Sequence, residues 1–484
     1  MPDTVKKAAL RIVETPRGAV EPAVVRIAIP ERAETPPAER YIMTLPRKVV
    51  RVLADSAVVG WAVLVSAWLL GVRAETALMA TGVLLLTYPL AFYLSGMYEI
   101  DVRVSGRRTL QRLVMASVLV AGIAAPLAYL LDSLRLPHAL LLSVLAMVML
   151  VHPVCNKVLN WVMHVSLPPL RVAIVGSGEA AEALVRVMKG SRAHEVVAVC
   201  ADGGSTLRRI VASRRSGGDA LRDGVEQIIV AVTGPLSQAT LDVLLEARTH
   251  GVPVTDIIPP YEALTGRVPV NHLTKEWVAF ASGFLPHRRF EAKVKRLVDI
   301  GASLALLLLF LPIGLVVALL VRLDSPGPVF HRQKRVGANS RVFEIVKFRT
   351  MRADAERGTG AVWAARNDTR ITRLGKWLRL SRLDEFPQLV NVLRGEMSLV
   401  GPRPERPEFV RLLAERVPYY ELRHLVKPGI TGWAQVCYPY GASVEDARVK
   451  LEYDLYYIRH RTPLFDLRVM AKTLSVLLFA QGSR

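Results

Sequence analysis

A chain of 484 residues exceeds the roughly 250–300 residues that one hydrophobic core supports, so several domains are expected. Half of the residues are hydrophobic (51%) while the formal charge is +21, a pairing ordinary for a membrane protein with basic surfaces and unusual for a soluble one. Aromatics are scarce at 7%, and no helix-turn-helix, zinc-finger or RNA-binding signature accompanies the charge, so no nucleic-acid partner is expected.

Residues 1–45 are rich in Pro, Glu and Arg and read as a disordered tail without a signal peptide. The region 46–165 then carries four apolar segments, 49–71, 75–97, 110–131 and 137–160, each close to the ~20 residues that cross a bilayer. Arg47, Lys48 and Arg51 precede the first segment, and Arg103, Arg107, Arg108 and Arg112 lie around the second loop. Lys157 and Arg171 flank the end of the fourth, whereas the other two loops hold only Arg73 and Arg135. The positive-inside rule places the N-terminus in the cytoplasm and returns the chain there after four crossings. Cys155, Cys200 and Cys437 are scattered without paired or metal-ligand spacing and fit a reducing compartment.

The region 168–287 reads as a Rossmann-like α/β domain. Leu170-Arg-Val-Ala-Ile-Val175 is a strand pattern that runs into Gly176-Ser-Gly178-Glu-Ala-Ala181 and a helix, with further strands expected over 195–200, 225–232 and 252–258. The glycine spacing matches a dinucleotide fingerprint, and Asp202 stands where a ribose-binding acid is expected. A tight turn that binds no cofactor explains the same glycines, and no Tyr-x-x-x-Lys pair follows. The expectation is therefore a fold without a cofactor.

A fifth apolar run, 297–321, opens the region 290–484, with Lys293, Lys295 and Arg296 before it and Arg322, Arg332, Lys334 and Arg335 after it. Basic charge on both sides argues against a simple crossing, and Pro312 sits mid-run, where a proline kinks a helix. A re-entrant membrane helix over 296–322 satisfies both observations. Asp299, just inside this run, reads as a structural ion pair near the headgroups. From 331 to 382 there are fourteen Lys/Arg against four Asp/Glu, and this basic stretch ends in the acid pair Asp384 and Glu385. Acids in such a field suit holding a divalent cation or attacking an anionic substrate. An apolar helical period (Leu389, Val390, Val392, Leu393) begins just after them, so Asp384 also fits a helix N-cap, and a helix N-terminus itself draws phosphate.

Seven blocks in order carry a resemblance. They are Lys295-Arg-Leu-Val-Asp299, Asp324-Ser-Pro-Gly-Pro328, Gln333-Lys-Arg-Val-Gly337, Lys347-Phe-Arg-Thr-Met351, Leu383-Asp-Glu-Phe-Pro-Gln388, Ser398-Leu-Val-Gly-Pro-Arg-Pro404 and Lys427-Pro-Gly-Ile-Thr-Gly-Trp-Ala-Gln435. Residues 293–481 resemble, almost end to end, the bacterial polyprenyl-phosphate hexose-1-phosphate transferases, in the long form that adds four membrane helices and a Rossmann-like domain. Phe386 stands where leucine is common, and Cys437 where many relatives have Asn.

The resemblance implies an enzyme that moves hexose-1-phosphate from a UDP-sugar, glucose or galactose foremost, to undecaprenyl phosphate and releases UMP. It implies that Asp384 is the nucleophile, that Glu385 and Asp384 offer oxygens to Mg²⁺, and that Lys347, Arg349, Arg379, Arg403 and Gln388 contact substrate. It further implies membrane lipids as partners, a homodimer, and the bacterial inner membrane with soluble domains in the cytoplasm. The expected fold is a membrane protein with four N-terminal transmembrane helices, a cytoplasmic Rossmann-like α/β domain, and a mainly α-helical catalytic domain anchored by a re-entrant membrane helix. The other readings are a membrane-anchored NAD(P)-dependent nucleotide-sugar enzyme, resting on Gly176 and Gly178, and a non-enzymatic scaffold for polysaccharide assembly. Gly429 and Gly432 read as a tight turn that packs Trp433, and 464–479 as an amphipathic helix on the membrane or on the core.

Overall fold

The computed structural model describes residues 45–98, 106–130, 137–166, 169–191, 193–200, 225–232, 234–284, 289–352, 370–438, 441 and 443–479. The chain divides into two compact units between Val49 and Val50, and of the first only Leu45–Val49 is described, as the start of a helix. The expected tail up to residue 44 and the candidate ribose acid Asp202 both lie outside the described residues.

Four helices come first: α1 (Leu45–Leu69), α2 (Ala74–Ser95), α3 (Gly106–Leu130) and α4 (His138–Ser166). Small and β-branched side chains fill the space between them, including Ala62 and Val63 of α1, Ala80 and Ala91 of α2, Ala116 and Val120 of α3, and Val144 and Val148 of α4. Such residues let helix backbones approach closely where lipid gives no hydrophobic drive to associate. The outward surface is apolar instead, with Leu53, Leu64, Trp68, Leu78, Leu86, Leu142 and Leu150 exposed. Polar ties are few: Asp55 meets His152 at 3.1 Å, and the Arg51 guanidinium donates to Asn160 Oδ1 at 2.6 Å, both joining α1 to α4. These four helices, and a fifth described below, are long and apolar enough to cross a membrane.

A parallel sheet follows. Strands β1 (Leu170–Val175), β2 (His194–Cys200), β3 (Gln227–Val230) and β4 (Val254–Asp256) alternate with helices α5 (Glu179–Lys189) and α6 (Gln238–Thr249) and lie in the order β2-β1-β3-β4. All four fall in the stretches expected for strands. Gly176 has φ +138° and a Cβ there would stand 2.5 Å from the carbonyl oxygen of Ala231, so this glycine serves the approach of β1 to β3. Two short helices, α7 (Ile258–Thr265) and α8 (Lys275–Phe280), lead from the sheet to the C-terminal domain. They are stitched to it by Glu262, which accepts from Arg459 at 2.6 Å, and by the carbonyl of Gly266, which accepts from Trp433 Nε1 at 2.9 Å.

The C-terminal domain begins with α9 (Arg289–Asp324), a helix of 36 residues that runs through Pro312. At 1.5 Å per residue it is roughly 54 Å long. Pro312, where a kink is expected, lies inside this helix. Next come the antiparallel hairpin β5 (Phe330–Val336) and β6 (Val342–Phe348), α10 (Arg373–Ser381), a 3-10 turn over Leu383–Glu385, and α11 (Gln388–Arg394). Strand β7 (Ser398–Val400), α12 (Pro407–Arg416), strand β8 (Gly429–Thr431), α13 (Trp433–Cys437), α14 (Val444–His460) and α15 (Pro463–Phe479) complete the chain. β7 and β8 pair in parallel.

Both ends of α9 are fastened to this one domain. Near its start Arg296 donates to the terminal carbonyls of α11, Val392 and Leu393, at 2.5 and 2.7 Å, where a cation also complements the helix dipole. Asp299 is buried and accepts from Ser398 Oγ and the Leu399 amide, both at 3.1 Å. These bonds, rather than the expected headgroup ion pair, account for it. Near the other end Val317 and Val321 pack with Phe348 and Leu378. Between them Leu304, Leu308, Leu311, Leu315 and Leu319 stay exposed, an apolar face that nothing among the described residues covers. α15 buries Phe465 and Val469 in the core and also lies on α2, where the Arg468 guanidinium stacks 5.4 Å from the Tyr93 ring. Of the two settings expected for 464–479, it packs on the core and against a membrane-length helix at once.

The crossing of β7 and β8 leaves no room for side chains: a Cβ on Gly429 would come within 2.1 Å of the Gly401 amide nitrogen. Gly429→Ala is expected to destabilise the domain by about 3 kcal/mol, the upper range for forced overpacking. Chemical denaturation of the purified protein in detergent checks this.

Candidate active site

The acid pair is held by backbone geometry first. Thr372 caps α10 by accepting from the Gly375 amide, and Arg382 ends the helix in the left-handed region at φ +59°. A non-glycine residue there is uncommon and marks a position that the surroundings over-determine. The reversal sends Leu383–Glu385 into a single 3-10 turn, so Asp384 and Glu385 point inward just before α11 starts. Asp384 is therefore not an N-cap by side chain: Pro387 occupies the cap position of α11 and no side-chain cap bond forms. Asn391, fully buried in α11, then ties that helix to β6. Its Nδ2 donates to the Glu344 carbonyl at 2.7 Å and its Oδ1 accepts from the Val346 amide at 3.1 Å. The strand so fixed carries Lys347 beside the acids.

Glu385 is 7% exposed, and one of its oxygens, Oε1, accepts from Arg403 Nη2 at 2.7 Å and from Lys347 Nζ at 3.1 Å. Burial alone would raise this carboxyl, but the charges of Arg403 and Lys347 outweigh it and hold Glu385 well below the usual carboxylate range. Arg403 is in turn raised, first by the charge of Glu385. Lys347 is lowered, because its own burial exceeds the help it receives from Glu385. Asp384 differs from its neighbour. It is 8% exposed and makes no hydrogen bond to the described residues. Burial pushes its carboxyl up, the charge of Glu385 adds to that, and Lys347, Arg379 and Arg403 pull against both. One acid is thus locked as an anion in an ion-pair triad, while the other is left with free oxygens beside three cations. That combination suits attack on, or metal-assisted binding of, a phosphate group.

The structure brings together five of the seven residues expected in the site: Asp384, Glu385, Lys347, Arg379 and Arg403. Arg379 also donates from Nε to Thr350 Oγ1 at 2.9 Å, which fixes its side chain from behind. Gln388, one turn further on, is 2% exposed with its Nε2 unsatisfied. Arg349 is engaged elsewhere. Its Nη2 donates to the Ser325 carbonyl at 2.6 Å and the Val321 carbonyl at 3.2 Å, and Nη1 to Pro326 at 3.2 Å, so it closes the C-terminal end of α9. No group of three or more His, Cys, Asp or Glu able to hold a metal occurs among the described residues. A divalent ion that keeps several waters and phosphate oxygens needs only one or two carboxylates, and the unpartnered Asp384 meets that demand. Sequence reasoning missed Asn391, Arg335 and Arg423. Only Arg335 had a visible signal, its place in the Gln333–Gly337 block.

A family model described as bacterial sugar transferase matches residues 290–480. A UDP-glucose:undecaprenyl-phosphate glucose-1-phosphate transferase of Caulobacter vibrioides is 38% identical over 50% of this chain and 85% of its own length. The chain belongs to the bacterial sugar transferase family. A UDP-N-acetylgalactosamine-undecaprenyl-phosphate N-acetylgalactosaminephosphotransferase of Aeromonas hydrophila is 43% identical over 48% of this chain. An undecaprenyl-phosphate glucose phosphotransferase of Komagataeibacter xylinus is 34% identical over 65% of it. These two matches span 54% and 60% of the respective relatives' lengths.

The two acids should respond to pH in opposite senses. Glu385, with a depressed folded value, stabilises the fold above the unfolded carboxylate range near 4.3, and that contribution is lost as pH falls. Asp384, with a raised folded value, favours the fold only below about 3.9 and disfavours it once ionised. Asp384→Asn is therefore expected to raise the thermal midpoint at pH 7, with the gain shrinking toward pH 4, whereas Glu385→Gln lowers it. Thermal melts of both variants across this range check the signs.

Proposed function

We propose that this chain transfers a hexose-1-phosphate from a UDP-sugar to undecaprenyl phosphate and releases UMP, the first membrane step of an exopolysaccharide or O-antigen. The observation that carries this reading is the acid pair itself: a free carboxylate, Asp384, beside a carboxylate clamped by Lys347 and Arg403. An Asp384 oxygen attacks the phosphorus that bears the sugar, and the bond from that phosphorus to the bridging oxygen breaks, so UMP leaves with the electron pair. A phosphate oxygen of undecaprenyl phosphate then attacks the same phosphorus. The aspartyl oxygen departs, and the carboxylate is restored.

Arg403, Lys347 and Arg379 neutralise the phosphate oxygens through both steps, with Arg403 suited to a two-point contact. Glu385 keeps the first two cations aimed at the site. Gln388 supplies an amide donor that lacks a partner among the described residues. Mg²⁺ would be held by Asp384, with Glu385 steering the cations around it, and would supply charge neutralisation on the diphosphate. Arg349 supports α9 and is not assigned to substrate here.

The setting is the cytoplasmic face of the bacterial inner membrane, where a soluble nucleotide sugar and a lipid phosphate can meet. The fastening of both flanks of α9 to one domain supports a helix that enters and leaves by one face, with its exposed leucines in lipid. The stacking of Arg468 on Tyr93, at the end of α2 that the positive-inside rule assigns to the cytoplasm, supports the same side for the catalytic domain. The parallel sheet is read as a Rossmann-like domain, and the active form as a homodimer. The relatives carry glucose and N-acetylgalactosamine in their names, so the sugar is a hexose of that class.

Membranes containing the protein, given undecaprenyl phosphate and a panel of UDP-hexoses, are expected to release UMP and form a lipid-linked sugar phosphate with at least one of them. Asp384→Asn should lower the rate by at least ~10³-fold, the scale for removal of a covalent nucleophile, while the protein stays in the membrane. Release of UDP would mean glycosyl transfer, and reduced nicotinamide would favour a dehydrogenase; either result, or substantial activity in the variant, refutes the assignment.

A further inference from the structure

Arg403 is only as well placed as the loop that carries it. Residues Gly401–Glu405 connect β7 to α12, and Pro402 and Pro404 bracket Arg403 with two backbones that have no N–H to donate. Such a loop cannot secure itself by a regular ladder. Its outer positions are nevertheless bonded through main chain. The Gly401 amide donates to Thr431, the Gly429 amide donates to Pro402, and the Val336 amide donates to Glu405, each at 2.9 Å. Among the described residues, the two carbonyls in the middle are reached by side chains. Arg423 Nη2 donates to the Arg403 carbonyl at 2.9 Å, and Arg335 Nη1 to the Pro404 carbonyl at 3.0 Å.

Arg423 comes from the short 3-10 segment Tyr420–Leu425 and is 6% exposed. The same Nη2 that holds the Arg403 carbonyl donates its second hydrogen to Asp454 Oδ2 at 2.8 Å, and Nη1 donates to the Tyr420 hydroxyl. Asp454, on α14, is 1% exposed. A buried ion pair is a poor way to gain stability, since two well-packed apolar residues usually serve as well or better. What apolar residues cannot do is grip a carbonyl. The fork of an arginine, fixed by Asp454 and Tyr420, presents the other hydrogen of Nη2 in a set direction.

We infer that Arg423 is a positioning residue: braced by Asp454 and Tyr420, it pins the main chain of Arg403 and so aims the guanidinium that serves Glu385 and the substrate phosphate. Arg423 itself touches none of the reacting groups. The kinetic part of this inference rests on the transferase reading above, whereas the pinning itself does not. Displacing Arg403 by about 1 Å would be enough to cost on the order of 10²-fold in rate.

The test uses the full-length protein in detergent or vesicles. Arg423→Ala alone would strand a buried carboxylate and could unfold the domain, so the informative variant is the double replacement Arg423→Met with Asp454→Leu, which removes both charges together. Expected are a thermal midpoint within a few degrees of wild type, a kcat for UMP release at least tenfold lower, and faster hydrogen exchange confined to 401–406 while 444–460 is unchanged. A double variant with kcat within twofold of wild type and unchanged exchange at 401–406 overturns the inference, as does a loss of activity that tracks only the loss of folded protein. If wild type itself releases no UMP, the transferase reading fails, and the exchange comparison still decides whether Arg423 pins the loop.

Discussion

The arrangement depends on one interaction, the grip of Arg403 and Lys347 on a single oxygen of Glu385. A carboxylate at that depth would take up a proton if left alone, and two cations at that depth would be driven apart. Held together they are each other's solvation. The ion-pair triad thereby accomplishes two things. It joins three parts of the chain that are distant in sequence, strand β6, the turn before α11 and the loop after β7. It also keeps positive charge concentrated around Asp384, whose carboxylate has no hydrogen-bond partner among the described residues.

Two buried polar side chains hold the scaffold behind the triad: Asn391 satisfies both of its amide functions on β6, and Arg349 closes the end of α9 on three carbonyls. Either would be costly to leave unsatisfied, which narrows the geometry it admits. Arg382, exposed, turns the chain through a left-handed backbone. The apolar residues of α9 and the four N-terminal helices have the opposite logic. Their outward leucines gain nothing from the rest of the protein and are at home only in lipid.

Much of this was legible in the chain itself. Four helices and a parallel α/β sheet followed from hydrophobic periodicity, and the site from the proximity of Asp384 and Glu385 to a dense basic stretch. Lys347 and Arg403, expected near the acids from the short blocks that hold them, lie against Glu385 in the fold. Arg349 shows where such reasoning stops: an arginine two residues from Lys347 in the same block bonds the carbonyls at the C-terminal end of α9 instead of joining the acids. Pro312 is a second case: composition places a proline in mid-run, and the structure keeps it within one helix whose two flanks are fastened at Arg296 and Val321.

Composition and period are local quantities, and they suffice to say which segments are apolar enough for lipid, where the strands lie, and that acids and cations share one neighbourhood. It takes the closed fold to make Glu385 the clamped acid, to bring Asp299 to β7 and to carry Arg423 to the carbonyl of Arg403. Adjacent residues of identical charge cannot be told apart by pattern. Their roles are assigned by which one the cations, 38 residues upstream and 18 downstream of Glu385, happen to face once the chain has closed.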